Sequence, residues 1–201
     1  ASGTGGAIDA EDATINLRAT GTSGALAQLA GSIELDQGTI VTQSTGTAAN
    51  GQLGLHAIDA GSSIVATDYT IGLAPATGTN TGLRGARADA GGEVLLSNTT
   101  VTVRGGANGT DNYGLHANGA GSAVRAEAST IDTLSRGAFG VLADGGGLVV
   151  LTNSTVSSAG LQNATTLQGS HGLMATGTDS RIEATGTDGT AAGALGNGVR
   201  A

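Results

Sequence analysis

The sequence predicts an all-β protein: a right-handed, single-stranded parallel β-helix of about seven coils over residues 1–201, with no separate globular domain. Three observations predict it. "GLHAIDAGSSIVATDYTI", starting at Gly54, returns sixty residues later as "GLHANGAGSAVRAEASTI", starting at Gly114, with ten of eighteen positions identical. A short apolar–threonine frame recurs along the whole chain. Glycine and Asn/Asp punctuate that frame at fixed places.

The frame is anchored on an aliphatic residue, with Thr and a second aliphatic residue six and seven positions on. It fits Ile8/Thr14/Ile15, Ile33/Thr39/Ile40, Ile64/Thr70/Ile71, Val94/Thr100/Val101, Val124/Thr130/Ile131 and Val149/Thr155/Val156. A seventh copy at Ile182 keeps the anchor and lacks the Thr. Anchor spacings of 25, 31, 30, 30, 25 and 33 residues fall in the solenoid range. Two positions beyond each anchor stand Ala10, Leu35, Ala66, Leu96, Ala126, Leu151 and Ala184. Residues two apart share one face of a strand, so both positions point inward. The strict small–large alternation suits stacked layers in which a bulky side chain leans over a small one.

Upstream of each anchor lies a second apolar element, read as Gly54-Leu55, Gly82-Leu83, Gly114-Leu115, Gly140-Val141, Gly172-Leu173 and Gly198-Val199. The first copy, Gly24-Ala25-Leu26, departs from this pattern. A glycine turn ("AGSS", "AGGE", "AGSA", "DGGG", "TGTD") joins this element to the anchor strand and needs left-handed backbone angles. Four residues after the anchor, Asp12, Gln37, Asp68, Asn98, Ala128 and Asn153 form an Asx-rich bend, a place where left-handed geometry is again expected. Each repeat therefore reads strand, glycine turn, strand, bend, strand. Strands this short, joined by tight corners, stack as coils about 4.8 Å apart.

Longer repeats place their surplus between the Thr strand and the next glycine element: residues 44–52, 74–80, 105–112 and 160–170. Four inserts on one edge read as a binding edge, with simple tolerance of insertions as the alternative. The candidate binding residues on it are Thr47, Asn50, Gln52, Thr77, Asn80, Asn108, Asp111, Asn112, Gln162, Asn163 and Gln168.

Composition narrows the function classes. Thirty-seven glycines and few aromatics point to a thin aliphatic core. A net charge of −8, with eight arginines and no lysine, lacks the positive stripe nucleic acid requires. There is no cysteine, hence no disulfide framework or thiolate metal site. No apolar run approaches membrane-spanning length. His56 and His116 are read in one outward register with Arg84 between them, as surface histidines too far apart to share a metal. His171 falls in another register. The calcium-binding nonapeptide is missing, "DGGGLVVLT" being only an echo of it. Dispersed carboxylates, absent tryptophan and no G-x-S-x-G argue against catalysis, so no enzyme activity, cofactor or metal is expected. The threonine column lacks a regular T-x-T array and reads as a structural corner rather than an ice-binding face. Sequons at Asn98, Asn108, Asn153 and Asn163 carry no weight in so Asn/Thr-rich a chain.

"GLHANGAGSAVRAEASTI", "GLHAIDAGSSIVATDYTI" and "GVLADGGGLVVLTNSTV" resemble the passenger domains of Gram-negative autotransporters, the pertactin-like group. The resemblance covers nearly the whole chain through the rhythm G-[LV]-x-A…G-x-x-x-V…T-[IV]. It implies a segment of a longer passenger exported to the bacterial surface by a C-terminal β-barrel lying outside these residues. It also implies an extracellular adhesin, self-association or virulence factor whose partner is a host surface or serum protein, or a sister cell. The Arg-Gly-Asp tripeptide of pertactin is absent, so no receptor carries over. The alternative is a β-helical stalk presenting a more distal domain.

Overall fold

The computed structural model describes residues 1–43, 50–75, 80–105, 109–162, 169–192 and 197–200. Three parallel sheets of seven strands each wind into one solenoid, with no helix among the described residues. Strands are numbered in chain order. The first sheet holds β1 (Ala7–Glu11), β4 (Ser32–Asp36), β7 (Ser63–Thr67), β10 (Glu93–Ser97), β13 (Ala123–Glu127), β16 (Leu148–Thr152) and β19 (Arg181–Thr185). The second holds β2 (Thr14–Leu17), β5 (Thr39–Thr42), β8 (Thr70–Leu73), β11 (Thr100–Arg104), β14 (Thr130–Leu134), β17 (Thr155–Ala159) and β20 (Asp188–Ala192). The third holds β3 (Ser23–Gln28), β6 (Leu53–Ile58), β9 (Arg84–Asp89), β12 (Tyr113–Asn118), β15 (Phe139–Asp144), β18 (His171–Thr176) and β21 (Asn197–Arg200).

The anchor strands form the first sheet in the expected register. Ala10, Leu35, Ala66, Leu96, Ala126, Leu151 and Ala184 pair in succession up the stack. The middle five are at most 3% exposed. Each large residue thus lies between two small ones, which keeps the interior filled without voids.

Corners follow the same logic. All six predicted bend residues have left-handed backbones, with φ of 52° at Asp12, 48° at Gln37, 52° at Asp68, 48° at Asn98, 48° at Ala128 and 49° at Asn153. Every connection from first to second sheet has two residues, and every described connection from third to first has three or four. Tight corners of constant or nearly constant length hold the strands in register. Hydroxyls just past the bend reinforce the stack. The buried Ser129 and Ser154 hydroxyls accept the Thr99 and Ser129 backbone N–H groups at 3.1 and 3.2 Å. Each is an acceptor whose loss leaves a buried N–H unsatisfied, at a cost of about 1–3 kcal/mol. The predicted threonine column forms the outward edge of the second sheet, Thr14 through Thr155 pairing strand to strand.

Two expectations are corrected in the third sheet. The element preceding β10 is Gly85-Ala86, not Gly82-Leu83, because Ala86 pairs with Leu55 and Leu115. Gly24-Ala25 is no departure, since Ala25 pairs with Leu55. Ala25, Leu55, Ala86 and Leu115 then alternate as the first sheet does. Sterics explain the glycine column. A Cβ on Gly24 would lie 2.7 Å from Ile40 Cγ2, and one on Gly54 2.5 Å from Ile71 Cγ2. Val101, Ile131 and Val156 stand against Gly85, Gly114 and Gly140 in the same way. The second sheet's β-branched column occupies the space where side chains on the third would go.

The core is not purely aliphatic. Tyr69, 1% exposed, reaches across one coil to donate to the Ala13 carbonyl at 2.9 Å. Gly38 makes the room, for a Cβ there would lie 2.7 Å from the ring.

Candidate functional site

Two features stand out from the regular rod: the corner between second and third sheets, and the outward layer of the third sheet. Only this corner varies widely in length, with four to eleven residues between strands. The insert edge foreseen in the sequence is therefore a single edge of the solid. Along it, Ala74, Pro75, Arg104, Leu134, Gly160 and Leu161 line a groove of about 470 Å³. Leu134 is 42% exposed and Leu161 55%. Arg104, at the rim, pairs with Asp132 at 2.7 Å.

The candidate binding residues separate into groups. Gln52, Asn80 and Asn112 are fully buried. Gln52 donates to the Ala19 carbonyl at 3.0 Å and accepts from Thr42 at 2.8 Å. Asn112 accepts the Leu83 N–H at 2.8 Å and donates to the Asn80 carbonyl at 2.9 Å. The Gln52 and Asn112 amides secure the corner's backbone from inside, which is what an irregular corner demands once strand pairing stops, whereas the Asn80 side-chain amide has no hydrogen-bond partner among the described residues. Asn50, half-buried, accepts the Thr81 N–H at 3.1 Å. Asp111 has a 55% exposed side chain and pairs with Arg84 at 2.9 Å. Gln162 is half-buried, its carbonyl accepting from Arg136 at 3.1 Å. Thr47, Thr77, Asn108, Asn163 and Gln168 lie outside the described residues.

The outward layer of the third sheet gathers all three histidines of the chain. Arg87, not Arg84, lies in register between His56 and His116; Arg84 pairs instead with Leu53 and Tyr113. Nor are both histidines simple surface groups, since His116 is only 5% exposed. Each reaches the carboxylate two positions along in the following coil. His56 Nε2 lies 2.7 Å from Asp89, and His116 Nε2 lies 3.1 Å from Asp144. The repeated "GLHA" phrase therefore builds the same cross-coil contact twice.

Asp89 also pairs with Arg87 at 2.6 Å and accepts from Asn118 at 2.9 Å. Burial alone would raise its carboxyl, but hydrogen bonds from His56, Arg87 and Asn118 hold it well below the usual carboxylate range. Such a carboxylate is fixed as an acceptor and is poorly suited to donating a proton. Arg84 lies 3.9 Å over the Tyr113 ring, whose hydroxyl donates to Asp111. Burial and that carboxylate push the Tyr113 hydroxyl above its ordinary value. Tyr113 meets Phe139 edge-on at 5.0 Å, and Phe139 stacks on His171 at 5.4 Å. Burial lowers both His116 and His171. Among the described residues, no group of three or more His, Cys, Asp or Glu is placed to hold a metal ion.

Sequence reasoning missed this layer because its partners are about thirty residues apart. One signal was available. The true glycine elements precede their anchors by nine or ten residues, an offset that Gly85 and Gly24 satisfy and Gly82 does not.

No protein-family model matches the chain, and no curated protein or solved structure matches it. The class defined by the fold is a parallel β-solenoid with three sheets.

Proposed function

We propose that this chain is a segment of a surface-exposed bacterial passenger of the autotransporter type, acting by protein binding. In this reading it is an adhesin or self-association factor outside the cell, and its corner between second and third sheets meets the partner. The supporting observation is convergence. Every long connection joins a strand of the second sheet to one of the third, and the exposed Leu134 and Leu161 flank an apolar groove at that corner. Exposed apolar surface rimmed by polar residues is characteristic of protein-binding sites. The repeated phrases resembling autotransporter passengers support the cellular setting. The activity needs no cofactor or catalytic group in this proposal.

A second reading, a stalk that presents a distal domain, draws on the buried Gln52 and Asn112, whose side-chain amides serve the corner's own backbone. One experiment separates the two. Bacteria displaying the full-length protein would carry Leu134→Asp with Leu161→Asp or, separately, deletions within 105–112 and 160–170. Loss of adhesion to host cells or of autoaggregation, with surface display and β-sheet circular dichroism retained, supports binding. Unchanged adhesion and aggregation in all of these variants rejects it in favour of the stalk.

A further inference from the structure

We propose that the outward layer of the third sheet is an acid-labile latch: protonation of His116 and His171 releases it and uncovers Phe139. This goes beyond the adhesive reading and does not depend on it.

The geometry at His116 disfavours a second proton. Its Nε2 serves Asp144 at 3.1 Å, while Nδ1 is buried with no hydrogen-bond partner. Protonation would place an N–H at Nδ1 with no acceptor, an arrangement that costs the full desolvation of that donor. The neighbours from β9 are Arg84, Arg87 and Asp89, and β15 adds Asp144. Asp111 and Tyr113 come from the histidine's own strand and the turn before it. The two guanidinium groups oppose a new positive charge. On β13, β14 and β16, behind β12, Arg125, Glu127 and Asp132 take outward positions on the other two sheets.

His171 is constrained differently. Its Nδ1 accepts the Asn197 N–H at 3.2 Å, and its Nε2 lies 3.3 Å from Arg200 Nη1. Both ring nitrogens therefore face donors, and an imidazolium would direct N–H groups at both. Asp144 is the carboxylate on neighbouring β15. Arg181, Glu183 and Asp188 on β19 and β20 are exposed.

Between these two histidines lies the aromatic pair. Tyr113 touches His116 edge-on at 5.1 Å, and His171 stacks on Phe139, which is 3% exposed. Displacing either imidazole removes one cover of that pair. A locally opened state takes up protons at the ordinary histidine value, whereas the closed state resists them. Opening therefore grows as pH falls below 6.5 and does not change with pH above it.

The test is amide hydrogen exchange followed by mass spectrometry on the whole chain, from about pH 7.5 to about pH 5, corrected for intrinsic exchange. The opening constant for peptides covering 113–118 and 139–144 should rise at least about tenfold, by up to roughly tenfold per pH unit for each histidine. Residues 93–97 of the first sheet should stay protected. The double variant H116Q/H171Q should lose the rise. An equal rise in that variant, or a flat response in the unaltered protein, overturns the proposal. Should the variant fail to fold, proton NMR of the unaltered protein decides. Midpoints for His116 and His171 below 6.5 support the latch, and a midpoint at or above it for either overturns it.

Discussion

Replacing Gly114 by alanine tests the packing between second and third sheets most directly. The added Cβ would lie 2.6 Å from the Gly140 carbonyl oxygen, 3.2 Å from Thr133 Cγ2, and closer still to Ile131 Cγ2. The carbonyl belongs to the next strand's backbone and cannot swing aside as a side chain would. Ile131 is fully buried. Overpacking of this kind costs about 1–3 kcal/mol, and a backbone obstacle places Gly114→Ala near about 3 kcal/mol. With a urea slope of about 3 kcal/mol per molar, the midpoint falls by roughly 1 M. Gly72→Ala is the matched control. The nearest atom to its new Cβ is Val41 Cγ1 at 3.7 Å, and its φ is not left-handed. Removing unfolded-state freedom there leaves stability unchanged or raised by about 0.5 kcal/mol. Equilibrium urea unfolding followed by circular dichroism compares the two. Equal effects, or a Gly114→Ala midpoint matching that of the unaltered protein, would refute the steric account.

Two further outcomes follow from the same geometry. Ala128 holds φ of 48° with a side chain that disfavours it, so Ala128→Gly should stabilise by about 1 kcal/mol in thermal unfolding. Ala126→Gly, on the neighbouring buried strand position, should destabilise instead. Asp89 has a depressed folded-state carboxyl, so its stabilisation is complete above the ordinary value of 3.8 and fades as pH falls below it. Asp89→Asn should cost about 2 kcal/mol or more at neutral pH and flatten the acid limb of the stability profile below 3.8. An acid limb as steep as before would show that another group governs it.

Legibility differed between the sheets for a physical reason. The first sheet was readable position by position because the corner after it always has two residues and the corner before it three or four, so spacing in sequence becomes register in space. Gln37 and Ala128 were placed in the bend by spacing alone, and their left-handed angles agree. The third sheet follows the variable corner, where sequence spacing no longer fixes register. In "GLRGARAD" two glycine–apolar pairs stand three residues apart, and the leucine made the first of them the more plausible. Gln52 and Asn112 looked like surface polar residues because composition cannot reveal which amides turn inward to serve a carbonyl.

By itself the sequence determined the solenoid, its alternating inward column and the edge from which its long connections leave. A repeating chain stacks like residues upon like, and one repeat therefore contains the packing rule for all. Tertiary structure alone decided which charges meet. His56 finds Asp89 and His116 finds Asp144 because side chains lean diagonally from one coil to the next, a direction no spacing within a single repeat encodes.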